Sequence, residues 1–186
     1  MAVIDHNQAV IHNNDGCAGR VFVTVGMDHH PFNRLMRWVD EWLSERTAQP
    51  VLHCQVGTAV PPRRAAFVYG ALGVEDFERH IRDADVVICH AGPGTLTAAW
   101  RFGNRPIVVP RLSRYGECVD DHQVLFAQRL RANGKIVLAE SRIELAECLE
   151  EAFVLGTTLS GAEADGHARD AVEAFSRIVD PLLTTS

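Results

Sequence analysis

Short apolar runs alternating with helix-period segments predict an α/β fold, a parallel sheet covered by helices on both faces. The runs are VFVTV (Val21 to Val25), PVLHCQV (Pro50 to Val56), AAFVYG, DVVIC, PIVVP (Pro106 to Pro110) and KIVLA. Each has the length and β-branched content of a strand. Between them, apolar residues recur three and four apart, which predicts helices from about Pro31 to Arg46, around Val74 to Asp83, from Gly94, over Asp121 to Ala132 and over Ser141 to Phe153.

Local chemistry supports several of these boundaries. Pro31 fits a first helical turn, where its missing N–H costs little, and Phe32, Leu35, Met36, Val39 and Leu43 then form a core stripe. Trp38 and Trp42, four apart on the same helix, are expected to pack rather than to stack on a ligand. Gly134 is a plausible left-handed stop for the helix ending near Asn133. Residues 1–19 are polar and lack a sustained period, so they are read as a flexible leader; 20–160 form the domain, and 161–186 a small-residue loop with an amphipathic helix over Ala168 to Leu183.

Composition bounds the function. At 186 residues, 47% hydrophobic, the chain suits one domain with a real core. A formal net charge of -6 gives no overall attraction to nucleic acid or anionic lipid, although Arg111 and Arg114 form a local basic patch. Five scattered cysteines, with Cys54 and Cys89 in apolar runs, point to a reducing cytoplasm rather than a disulfide framework. No apolar stretch approaches the ~20 residues of a membrane span, and the start lacks a signal peptide's regions.

The segment DVVICHAGPGTLTAAW carries the chemistry. A buried strand that runs into His90-Ala91-Gly92-Pro93-Gly94-Thr95 and then a helix puts glycine backbone at the carboxyl edge of the sheet, where open α/β folds bind ligands. Free amides at the helix start and the positive end of its dipole favour an anion, with phosphate or diphosphate the natural guest. The Thr95 hydroxyl can cap the helix or donate to a phosphate oxygen. The loop is neither a P-loop nor a GxGxxG fingerprint. Downstream, Glu117, Asp120, Asp121, His122 and Gln123 border the same edge; the aspartates can cap the next helix, and Glu117 and Gln123 can take ribose hydroxyls. His90 is the one candidate general base, against the commoner role of a loop histidine bonded to backbone or phosphate. His29-His30 is read as a solvated loop, with no metal site expected.

HAGPGT, GNRPIVVPR and YGECVDDHQ, with the opening FVTVG and PFNRL, resemble the glycosyltransferase family 28 C-terminal domain. The likeness covers about Val21 to Phe153 and is greatest to the short, separately encoded Alg13-like and PssE-type subunits of glycan and exopolysaccharide assembly. The resemblance implies a Rossmann-like donor-binding lobe of a GT-B glycosyltransferase. It also implies a UDP-sugar donor, no cofactor and no metal, and inverting transfer to a lipid-linked acceptor. A membrane-attached acceptor-lobe subunit is the implied partner, recruiting a cytoplasmic chain to the membrane face, and a homodimer is the alternative when the chain is isolated. Carried over, Thr24, Gly26, His90, Gly92, Gly94 and Thr95 would face the diphosphate, Glu117 and Gln123 the ribose or sugar, and backbone near Phe77 the uracil. Asp121 and His122 complete the motif. This chain departs from relatives at Ala98 or Ala99, where an acidic residue is usual, at Cys118 in place of a histidine, and at Met27-Asp28. A non-catalytic nucleotide-sugar-binding module and a self-sufficient homodimeric enzyme are the competing readings.

Overall fold

A computed structural model describes residues 19–155. The leader before Gly19, the small-residue loop and the amphipathic helix expected over Ala168 to Leu183 lie outside the described residues. Six parallel strands, β1 (Arg20–Thr24), β2 (Val51–Gln55), β3 (Phe67–Tyr69), β4 (Val86–Cys89), β5 (Ile107–Val108) and β6 (Val137–Leu138), form one sheet in the order β3-β2-β1-β4-β5-β6. The central strand β1 pairs with β2 (Phe22 opposite His53) and with β4 (Phe22 opposite Val87). The strand order therefore reverses between β1 and β4, and their carboxyl ends open the crevice in which doubly wound sheets bind ligands.

Alternation along β1 sorts its side chains between the two faces. Val21 and Val23 join α1 (Asn33–Ser44) and α5 (Arg142–Leu155) in one buried cluster, through Leu35, Met36, Val39, Leu43, Leu145 and Leu149. Phe22 turns to the other face, against α2 (Val74–Asp83) and α3 (Pro93–Arg101), where it meets Ile81, Val87, Ala98 and Ala99. Further along that face, Leu96 and Trp100 of α3 pack on Phe126, Ala127 and Leu130 of α4 (His122–Ala132). The tryptophans of α1 are packing residues: Trp42 stacks on Phe153 and donates to Glu150 (3.0 Å), and Trp38 lies under the Arg34 guanidinium.

Helix starts differ from the sequence expectation by one or two residues, α4 and α5 each beginning one residue later. Pro31 lies outside α1, which begins at Asn33 after Phe32 in the N-cap position. α3 begins one residue early, with Gly92 as N-cap and Pro93 in the first turn, a place where its missing N–H leaves no gap in the helix. Gly134 does close α4, at φ 67° with its N–H on the Arg131 carbonyl.

Candidate functional site

The loops after β1, β4 and β5 converge at the switch point, and the His90 ring stands at their centre. Both glycines beside it are there for space. A Cβ on Gly92 would lie 2.1 Å from His90 Nε2, and one on Gly26, itself at φ 74°, would lie 2.6 Å from His90 Cε1. The imidazole thus fills the gap between the two loops, which only glycine leaves open. Burial, with the Arg111 charge adding to it, holds the His90 pKa down at about 4, so the ring is neutral near pH 7. Its Nδ1 is buried and has no partner in full hydrogen-bond geometry, although the Thr24 backbone is near enough to oppose the lowering slightly.

α3 points its N-terminus at the same place. Leu96 N–H closes on the Gly92 carbonyl (3.1 Å), no side chain caps the helix, and Pro93 has no N–H to offer. The amides of Gly94 and Thr95 therefore precede the first intrahelical bond, at the positive end of the helix dipole. A Cβ at Gly94 would meet nothing within 4 Å, so this backbone faces open space. The Thr95 hydroxyl does not cap the helix, contrary to one of the two roles expected for it.

Around this cradle lies a buried ionic frame. Glu117, expected near ribose, instead turns inward and is only 2% exposed. Its carboxylate accepts from Arg34 Nε (2.9 Å) and Nη2 (2.8 Å) and from the Leu112 N–H (3.0 Å). Three hydrogen bonds and the buried ion pair hold the carboxylate inward, so it props the loop after β5. Arg111 is no part of a basic patch: it is fully buried, 4.9 Å over the Phe32 ring. Its guanidinium donates to the carbonyls of His30 and Glu117 through Nη1 and of Val25 through Nη2, each at 2.7 Å. One side chain thereby ties the loop after β1 to the loop after β5.

Other expected contacts are also internal. The Thr24 hydroxyl donates to the Gln55 side-chain carbonyl (2.5 Å) and accepts from the Gly26 N–H (3.3 Å), so it shapes the loop instead of facing a diphosphate. The Phe77 N–H is bonded to the Gly73 carbonyl (2.9 Å) and its ring meets Phe22 edge-on at 5.9 Å, so that one amide is spent within α2. Asp121 occupies the N-cap position of α4 but accepts from the Ser113 N–H (2.8 Å); Asp120 takes the His122 N–H (3.0 Å). The His122 ring pairs with Asp120 at 2.6 Å in solvent. Gln123, one residue on, has its side-chain carbonyl oxygen buried and unpartnered. His90, Gly94, Thr95 and Gln123 thus remain as groups available to a ligand, while Gly92 is taken up by the His90 ring and by the first helical bond. Ala98 and Ala99, at the position of the absent acid, are packed in the core.

The sequence reading assigned no role to Arg34 or Gln55. Arg34 occupies a position among the apolar stripe of α1, a long cation where burial was due, and that was the available signal. Gln55 closes β2 with no such irregularity.

A doubly wound parallel sheet whose switch point carries helix-start amides without intrahelical partners places this chain in the class of Rossmann-like α/β domains. Within that class, residues 20–174 match the model of the glycosyltransferase family 28 C-terminal domain, and the chain belongs to this family. It is 36% identical over 69 residues to a UDP-N-acetylglucosamine--N-acetylmuramyl-(pentapeptide) pyrophosphoryl-undecaprenol N-acetylglucosamine transferase of Polaromonas naphthalenivorans, a match covering 37% of this chain and 18% of that protein. The transferase of the same name from Shewanella amazonensis is 35% identical over 82 residues, covering 44% and 22%. Among solved structures, Acinetobacter baumannii MurG superposes with a TM-score of 0.55 at 18% identity, covering 90% of this chain and 50% of MurG. The kitacinnamycin glycotransferase superposes at 0.58 and 14% identity, covering 96% and 47%. The fold is that of a Rossmann-like C-terminal lobe of a GT-B glycosyltransferase. The chain spans about a fifth of the length of these curated relatives in its matches and about half of the solved chains.

Proposed function

We propose that this chain is the donor half of a two-component inverting glycosyltransferase. It binds a UDP-sugar at the switch point and transfers the hexose or N-acetylhexosamine to a lipid-linked acceptor held by a second, membrane-attached subunit. The observation that carries this reading is the cradle itself: the free amides of Gly94 and Thr95 at the start of α3, beside a neutral His90 with an unpartnered ring nitrogen. As the sugar leaves, negative charge grows on the diphosphate. Fixed backbone donors and the helix dipole stabilise that charge more than they stabilise the bound donor, with no reorganisation at the moment of reaction. Neutral His90 contributes a ring N–H toward phosphate without bringing a charge, and the base for the acceptor hydroxyl comes from the acceptor lobe. Gln123 Oε1, buried and free, suits a ribose or sugar hydroxyl.

One further observation supports a partner. Met27, Val74 and Val119, in or next to the loops after β1, β3 and β5, are between 70% and 84% exposed and place apolar surface on the ligand edge. Among the described residues no helix is long and apolar enough to cross a membrane.

The test is a titration of the purified chain with UDP, UDP-N-acetylglucosamine, UDP-glucose and GDP, read by thermal stability and binding heat. Uridine nucleotides are expected to raise the melting temperature selectively, since ligand bound only to the native state adds about 2.7 kcal/mol at a hundredfold excess over Kd. Gln123→Ala is expected to weaken UDP-sugar more than UDP. Absence of any response, with or without the partner, would leave the non-catalytic assembly module as the surviving reading.

A further inference from the structure

We propose that Asp28, His29 and His30 form a binding site for a divalent first-row metal ion, with zinc as its best occupant, at the rim of the candidate donor cleft. The two histidines alone suggest a solvated loop; the structure adds Asp28 as a third ligand. One donor atom from each residue lies within 4.8 Å of the others. In a tetrahedral zinc site, ligands about 2.0–2.2 Å from the metal stand roughly 3.4 Å apart. Asp28 Oδ1 is 3.5 Å from His29 Nδ1, already at that spacing. It is 2.7 Å from His30 Nδ1, where a proton now bridges the pair. An ion would take the place of that proton, and the two atoms need to separate by about 0.7 Å to reach the metal spacing.

The tripeptide is held ready. The His30 N–H donates to Asp28 Oδ1 (2.8 Å), the Thr58 hydroxyl to the His29 carbonyl (3.1 Å) and Arg111 to the His30 carbonyl (2.7 Å). The two imidazoles lie against each other with centroids 3.9 Å apart. An oxygen and two imidazole nitrogens are a donor set that zinc accepts with a position left open for water or a phosphate oxygen. The His29 side chain is 84% exposed, which leaves that position on the solvent side. Arg111 contributes an opposing positive charge near Asp28, so the affinity expected is micromolar rather than the tighter binding of an enclosed structural site.

The site does not depend on the donor reading, because the ion is tested alone. The full chain, stripped with a chelator and desalted, is titrated with Zn2+ by calorimetry, and with Co2+ for its visible ligand-field absorption. Expected is one ion bound per chain, saturably, in the micromolar range. His29→Asn and Asp28→Asn should each weaken binding at least about tenfold. A His6→Asn, His12→Asn double variant should bind as the parent does. No saturable binding, or a His29→Asn chain that binds Zn2+ as tightly as the parent, overturns the proposal.

Discussion

Glycine and histidine at the switch point act as one unit. Gly92→Ala must push the His90 ring aside, since the added Cβ would sit 2.1 Å from Nε2. Gly26→Ala meets the same ring and adds a positive φ; a loss of about 1–3 kcal/mol in urea unfolding is expected. Gly94 separates stability from function. Its Cβ meets nothing, so Gly94→Ala should hold or slightly raise the melting temperature, yet weaken uridine nucleotide binding by crowding the cradle. Equal binding by this variant would move the phosphate elsewhere. The glycine loop was legible in the sequence because glycine types report backbone freedom directly. Which atoms the freedom serves was not: that Gly26 and Gly92 flank one imidazole depends on β1 and β4 being neighbours, although 65 residues separate the pairing of Val21 with Val86. Glu117 shows the opposite failure. Its type suited a sugar contact, and only the fold reveals that Arg34, 83 residues away, had claimed it.

At the level of elements, the Arg34–Glu117 pair joins α1 to the loop after β5, with side chains 8% and 3% exposed. Removing one partner strands a buried charge, so Glu117→Ala should cost about 3–5 kcal/mol, whereas a Arg34→Met, Glu117→Leu double variant should cost less than the sum of the singles. A double-mutant cycle in urea measures the coupling. Beneath α2, His53 and His80 pack ring against ring at 5.0 Å, with Phe67, Tyr69 and Phe22 around them. Burial, then the His80 charge and Arg20, pushes the His53 pKa down to about 4, and burial lowers that of His80. A histidine whose folded pKa lies below its unfolded value of about 6.5 must gain a proton on unfolding in acid. Its contribution to stability is therefore intact above pH 6.5 and falls away between 6.5 and about 4. Urea midpoints at pH 7.5 and 4.5 should diverge, and His53→Phe should narrow the gap; His90, lowered through the same window, accounts for part of what remains.

For the whole molecule, the proposed donor half and the exposed apolar residues of its ligand edge lead to one expectation. Given a UDP-sugar and a lipid-linked acceptor, the purified chain alone should bind donor and transfer little, and full activity should need the acceptor lobe. Appreciable transfer by the isolated chain, measured by product formation, would instead establish a self-sufficient enzyme.

Periodicity and punctuation determined the element order, the parallel sheet and the anion-favouring loop, because strand length, helical spacing and glycine placement are local properties written residue by residue. The tertiary structure decided which of the edge residues are available. Thr24, Arg111 and Glu117 share the ligand edge in sequence, but long-range hydrogen bonds and a buried ion pair commit each to the scaffold. His90, Gly94 and Gln123 are left unpaired by the same packing. A polar group's availability is a matter of what it already touches, and those contacts are set between strands and helices far apart in the chain.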